Sequence, residues 1–371
     1  RVFWNAQDDV TPAIADNQIG VVDNAFYREN SYNQLGLVAS TTQWLQIPRP
    51  PTCDDVTSII NSAETAAANA GINTAIYFHN MIYVSSADCI GRGWGEIPGK
   101  ITVIQGTINT YRTVHELGHN LGLGHAHSEK CTAGSAPVPL SDTCTVDEYG
   151  DLFDAMGYVP PAAGEYNPSE FSAPQKDALG WLSGRSTSTD EGTYTLAPME
   201  DQALTLHAIR LNTPGHTLWL EYRQGIGVDA PLANFTGITN GVLVHESAPG
   251  ASSSLLDMTP TSALGFNDVA LPAGQSWTDP SGYSTITVNS AAPQGASVTV
   301  RLGPARTTVP DVVNAPKRAA GLRISAAGLV PSFTGATTAT NAYVSTQTPQ
   351  PGTIVTRGTT VTMHVVAGAT P

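Results

Sequence analysis

The chain has 371 residues, 41% of them hydrophobic and 13% charged, with 17 Lys and Arg against 31 Asp and Glu, a formal charge of −14. That balance excludes an electrostatic grip on nucleic acid or anionic lipid, because both need basic patches and only four lysines are present. No run approaches the roughly 18 apolar residues of a membrane span, the hydrophobic fraction is too high for a disordered chain, and the length predicts two or three domains.

The chain opens at Arg1 with neither a Met nor a signal-like apolar run, as a processed, mature secreted protein would. Cys53, Cys89, Cys131 and Cys144 lack C-x-x-C spacing, and their even number fits two disulfides and an oxidising, extracellular compartment. Of the three pairings, Cys53 with Cys89 and Cys131 with Cys144 is preferred, because the second closes a short Pro/Gly/Ser-rich loop. Four buried free thiols are the alternative.

In chain order, Pro12 to Asn30 reads as helix, with an early Pro and apolar residues at near-helical spacing. Leu35 to Ile47 reads as strand, and Asp54 to Ala70, rich in Ala and closed by Gly71, as a second helix. Ala75 to Val84 is a buried strand by its β-branched and aromatic content. After a passage holding Gly91, Gly93, Gly95 and Gly99, Ile101 to Ile108 alternates apolar and polar residues as a half-exposed edge strand does. From about Ser186 the composition turns to Thr, Ser, Gly and Pro with short alternating runs, among them Thr217 to Arg223, Gly241 to His245 and Ser297 to Leu302, which predicts a β-sandwich over 186–304. A third unit, 309–371, combines one Ala-rich helical stretch with strand-like Ala342 to Thr346 and Thr359 to Val366.

The chemistry concentrates at His115-Glu116-Leu117-Gly118-His119. Helix residues four apart lie about 40° apart on one face, so His115 and His119 can present imidazole nitrogens to one Zn²⁺ ion. Glu116 flanks that face and can reach a water without ligating the metal, where a general base belongs. His125 follows six residues after His119 and on an unbroken helix would point away. Gly122 can take the positive φ that ends a helix and swing His125 back as third ligand, leaving a fourth position open as in catalytic zinc sites. His127 can reach a substrate carboxylate or simply face solvent, and the other histidines lack ligand spacing. The acidic run Asp147, Glu148, Asp151, Asp154 can hold Ca²⁺, although it lacks the pattern of a calcium loop and reads more readily as capping and solvated acids.

His-Glu-x-x-His-x-x-Gly-x-x-His at 115–125 resembles the metzincin zinc endopeptidases. Asp154-Ala155-Met156-Gly157-Tyr158, with Met156 31 residues after His125, fits their methionine turn. The likeness narrows to the gametolysin-like group through Ser31-Tyr32-Asn33-Gln34-Leu35, Gly91-Arg92-Gly93-Trp94, Tyr149-Gly150-Asp151 and Gln175-Lys176-Asp177-Ala178-Leu179-Gly180-Trp181. This resemblance implies an α+β metzincin-like catalytic domain over 1–185, with a mixed twisted sheet, a zinc-site helix and a Met-turn. It further implies Met156 as an apolar floor under the metal, Tyr158 as a zinc ligand or oxyanion donor, and the strand at Ile101 to Ile108 as the pairing edge for an extended substrate.

Val309-Pro310-Asp311-Val312-Val313, Gln347-Thr348-Pro349-Gln350-Pro351-Gly352-Thr353 and Gly358-Thr359-Thr360-Val361-Thr362 resemble a PASTA domain, a small α/β module, over 309–371. Asn314 stands where such modules usually carry Gly. That likeness implies a bacterial source and contact with peptidoglycan or another glycan. Together these readings predict a secreted zinc metalloendopeptidase that cleaves internal peptide bonds of protein or peptide substrates after loss of a propeptide. A peptidoglycan-directed hydrolase and a catalytically silent cell-wall binding protein are the alternatives, and an intact Glu116 speaks against the second.

Overall fold

The computed structural model describes residues 1–91, 93–158, 169–188, 190–303, 306–339 and 341–368; Arg92, Pro304 and the last three residues of the tail, which fall within readings above, lie outside them. The first strands are β1 (Val2–Phe3), β2 (Leu45–Gln46), β3 (Asn80–Val84), β4 (Gly93–Gly95) and β5 (Ile101–Gln105). They form one sheet in the order β2-β1-β3-β5-β4, parallel except for β4, which runs antiparallel to β5. A helical run α1 (12–30) is α-helical over Pro12–Asn17 and Asn24–Asn30 with a π turn, Gln18–Asp23, between them. Helix α2 (Val56–Asn69) buries Ile59 and Ala63 with Val2, Ile82, Val84 and Val103, and Cys53 is bonded to Cys89 beside this core. Helix α3 (Thr110–Asn120) lies against β4 and β5.

Three strand readings change here. Of Ala75 to Val84, only Asn80–Val84 is strand, and Thr74–Ile76 is a 3-10 turn. Of Leu35 to Ile47, only Leu45–Gln46 is strand, because the backbone ahead of it bonds side chains instead of a ladder: Leu35 N–H donates to Ser31 Oγ at 2.9 Å and Leu37 N–H to Asn24 Oδ1 at 2.7 Å. The strand at Ile101 is not an edge. β5 is paired on both sides, by β3 and β4, and the edge is the glycine strand β4.

Further strands are β6 (Ala126–Ala133), β7 (Ala136–Val138), β8 (Cys144–Asp147), β9 (Ser186–Ser188), β10 (Gly192–Leu196), β11 (Ala208–Thr213), β12 (His216–Glu221), β13 (Gly241–Ala248), β14 (Ser252–Leu256), β15 (Leu271–Pro272), β16 (Ser276–Thr278), β17 (Ser284–Ala292) and β18 (Gly295–Leu302). A large sheet runs β7-β6-β14-β13-β12-β11-β9, with β8 on β6 and β15 on β13, and a smaller one β10-β18-β17-β16. Ile209, Leu211, Leu218, Leu220 and Val244 of the first meet Ile286, Val288, Val298 and Val300 of the second in one core. The larger sheet draws strands from both sides of residue 185. β14 pairs in parallel with β6, Ser253 opposite Ala126, so the chain that leaves His125 is a strand of the same sheet. Alternate burial along β6 gives it a face that can join that sheet.

Helix α4 (Ala173–Ala178) carries Lys176 into a buried ionic cluster. Arg223, fully buried, contacts Asp229, Glu221 Oε1 at 3.0 Å and Glu200 at 3.6 Å, and donates to the carbonyls of Phe153 at 3.1 Å and Glu170 at 3.3 Å. Lys176 pairs with Glu170, and Glu170 N–H donates to Asp229 at 3.0 Å. His245 on β13 meets Asp151 Oδ2 at 2.9 Å.

The last unit has its own core of Val309, Val312, Ile324, Val344, Val361, Met363 and Val365. Strand β19 (Arg306–Thr308) pairs with β22 (Ile354–Thr356), and β20 (Val330–Gly335), β23 (Thr360–Ala367) and β21 (Ala342–Thr348) form a second small sheet, with helix α5 (Lys317–Ala326) against β20 and β21. Asn314 sits at φ 63, a left-handed conformation that Asn tolerates better than most residues after Gly. No described helix is long and apolar enough to cross a membrane.

Candidate metal centre

Helix α3 starts at Asn109, whose side chain accepts the Arg112 N–H at 3.0 Å, and carries His115, Glu116 and His119 on its buried face. It ends at Gly122, φ +105, where Gly122 N–H donates to His119 O at 2.8 Å and Leu123 N–H to Gly118 O at 3.0 Å. These two bonds are the paired C-terminal cap of a helix that reverses at a left-handed residue. The reversal brings His125 alongside the helix: its ring centroid lies 4.9 Å from that of His119 and 5.5 Å from that of His115, and the latter two are 4.8 Å apart. One ring nitrogen from each of the three lies within 4.8 Å of the others.

The outward-facing nitrogens decide what the inward-facing ones can do. His115 Nδ1 is 2.9 Å from Ala155 O, His119 Nδ1 2.8 Å from Leu123 O, and His125 Nδ1 2.9 Å from Glu148 Oε1. The backbone carbonyls carry no proton, so Nδ1 of His115 and of His119 donates and, in the neutral ring, Nε2 keeps a lone pair, the tautomer a metal needs; His125 turns its Nδ1 to a side-chain oxygen. Burial, with His119 beside it, pulls His115 down to about 3, and burial lowers His119 as well, so both are neutral near pH 7. The donor set therefore fits a zinc ion. Among the described residues, the other cluster of metal-ligating residue types, Glu129, Cys131 and Cys144, is spoken for, since Cys131 and Cys144 are disulfide-bonded.

Glu116 is 7% exposed, and burial pushes its carboxyl up to about 8, with Arg112 opposing. Strand β4 lies directly on it. A Cβ at Gly93 would come within 2.1 Å of Glu116 Oε1, and one at Gly95 within 2.6 Å of the Glu116 carbonyl, so two glycines let the sheet edge close over this residue.

Below the histidines, 154–158 is a turn tied at each residue. Asp154 Oδ1 accepts Met156 N–H at 2.7 Å, Ala155 O holds His115, Met156 O accepts the N–H of Ala126 at 2.9 Å, and Gly157 O accepts from Tyr111 Oη at 3.0 Å. Met156 is fully buried, and its Sδ would stand 2.5 Å from a Cβ at Gly118, which packs the turn against the motif helix. Tyr158 is 49% exposed, and its N–H donates to Tyr149 O at 2.8 Å.

Sequence reasoning missed two neighbours. Glu148, one of the acids between 147 and 154, lies 2.9 Å from His125 Nδ1. Tyr149 lays its ring 4.1 Å from that of His125 and 6.2 Å from that of His115. The four acids do not converge: Asp151 bonds His245 and the Phe153 N–H, and Asp154 the N–H groups of Met156 and Ser172. Nothing among the described residues supports Ca²⁺. His127, on β6 and half-buried, has Nδ1 2.7 Å from Glu148 O.

Three imidazoles gathered at the end of one helix of a mixed α/β fold form a candidate metal centre, and the family to which the chain is matched is one of metallopeptidases. The gametolysin peptidase M11 family model matches residues 8–258, more than half of the chain, and the chain belongs to that family. A PASTA domain model matches residues 307–366. No curated protein and no solved structure matches the chain.

Proposed function

We propose that the protein is a secreted zinc-dependent endopeptidase with a metzincin-like catalytic unit. The observation that carries this is the set of three imidazoles with every Nδ1 engaged and one ring nitrogen from each within 4.8 Å of the others, beside a buried carboxyl at Glu116. His115, His119 and His125 would hold the ion, and Met156 supports the site from below. Bound there, zinc supplies Lewis acidity toward water and the peptide carbonyl. Glu116 takes the proton of the attacking water and returns it to the leaving amine. Strand β4, the free edge, pairs with an extended substrate backbone. The phenol of Tyr158 donates to the oxyanion, so Tyr158→Phe lowers kcat by about 10-fold or more with KM little changed.

Two disulfides support an extracellular location. Cleavage of denatured casein and of a quenched peptide library by the purified chain tests the reading. Activity is lost with chelator, and Glu116→Ala lowers it by about 10²–10⁴-fold while zinc still binds. Zinc binding at one equivalent with no cleavage of any substrate would return the protein to a binding role. The PASTA match favours a second substrate class, peptidoglycan cross-links, and zymography on cell walls against casein separates the two.

A further inference from the structure

The three imidazoles are not held alike. His115 and His119 donate to backbone carbonyls inside the fold, whereas His125 donates to the side chain of Glu148, 66% exposed, and is itself 20% exposed. We propose that Glu148 is a positioning residue that orients His125 for the metal, presented by a cross-linked arm built for that purpose. The inference rests on the reading of the histidines as metal ligands.

The arm joins the two residues through one antiparallel ladder. β6 begins at Ala126, directly after His125, and β8 ends at Asp147, directly before Glu148. The two strands pair antiparallel with Ser128 opposite Asp147 and Cys131 opposite Cys144, and those cysteines are disulfide-bonded. Ligand and carboxylate therefore leave the same end of one ladder. The Glu148 carbonyl accepts from His127 Nδ1 at 2.7 Å, which ties the Glu148 backbone to β6, and the Tyr149 ring lies 4.1 Å from that of His125. A carboxylate on the second nitrogen of a ligating histidine fixes its tautomer and orientation and raises its basicity, and its loss typically weakens metal binding by about 10–100-fold.

The test is zinc affinity, read by competition with a fluorescent chelator on the purified full chain, with thermal melting of the metal-free protein alongside. Glu148→Ala is expected to weaken zinc binding by about 10–100-fold while the metal-free melting point stays put, since the side chain is mostly exposed. Glu148→Gln, whose amide oxygen still accepts from Nδ1, is expected to recover most of that loss. Asp147→Asn removes the adjacent exposed charge without touching His125 and is expected to leave affinity within about twofold. Wild-type affinity in Glu148→Ala overturns the proposal, as does an equal loss in Asp147→Asn, which would make the effect one of net charge. A wild-type chain that binds no zinc defeats the metal-site reading itself, and this inference with it.

Discussion

Two buried polar clusters lie on either side of the Met156 turn, and they differ in where their bonding capacity points. Around Arg223 it is spent inward: guanidinium, three carboxylates and two carbonyls close on one another, and Lys176 closes on Glu170. Around His119 it is spent outward. The Nδ1 atoms face Ala155 O, Leu123 O and Glu148 Oε1, and one ring nitrogen of each histidine lies within 4.8 Å of the others. The first cluster ties chain segments together, here 153, 170, 200 and 221–229, with Glu170 Oε1 and Glu200 Oε2 buried without a hydrogen-bond partner. A cluster that bonds only at its rim has room for a ligand.

Removing a member of each should separate them. Arg223→Met leaves Glu221, Asp229 and Glu200 buried without their cation and should destabilise the fold by about 3–5 kcal/mol in urea unfolding. His119→Ala abolishes zinc binding but frees only the Leu123 carbonyl, at about 1–2 kcal/mol. Comparable losses of stability from the two would break the distinction.

A smaller effect comes from proton linkage. Burial raises Glu116 to about 8, so the metal-free folded state holds a proton that the unfolded chain has released above its ordinary value of 4.5. A raised acid stabilises most below the unfolded value, and that contribution is lost as pH rises through 8. Glu116→Gln cannot titrate. It should melt above the wild type in metal-free form at pH 8, by about 2–3 kcal/mol, with the gap closing by pH 5. Asp154, raised to about 7 by burial and by Asp151, gives both proteins a slope of the same sign, so the difference between the two proteins is the quantity to read. A gap that does not depend on pH would refute the linkage.

Much of the site was legible because its determinants are local. A four-residue spacing on a helix and a glycine at the turn place His115, His119 and His125 with little tertiary information, and Gly122 has the positive φ that the spacing requires. Glu148 was not legible, since its approach to His125 depends on the register of β6 against β8, and register is set by pairing across the sheet. The edge strand failed for the same reason. Ile101 to Gln105 alternates as edges do, but a three-residue glycine strand, too short to announce itself, takes the edge. The boundary at 185 followed a change in composition, which carries no information about β14 adding to β6.

Gly118 tests the finest part of the contrast, the contact between the motif helix and the turn beneath it. A methyl group there would stand 2.5 Å from Met156 Sδ and 3.6 Å from Phe171 Cε1, and both neighbours are fully buried. The thioether is the end of an unbranched side chain and can swing, so Gly118→Ala should cost about 1–2 kcal/mol instead of preventing folding. Any swing must be absorbed by the turn whose Ala155 carbonyl fixes His115 and whose Met156 carbonyl holds the strand leaving His125. Zinc affinity should therefore fall along with stability. The double variant Gly118→Ala with Met156→Leu, which replaces the thioether by a shorter chain, should recover part of both losses. Recovery of stability without recovery of zinc affinity would show that the turn supports the helix and leaves the histidines alone.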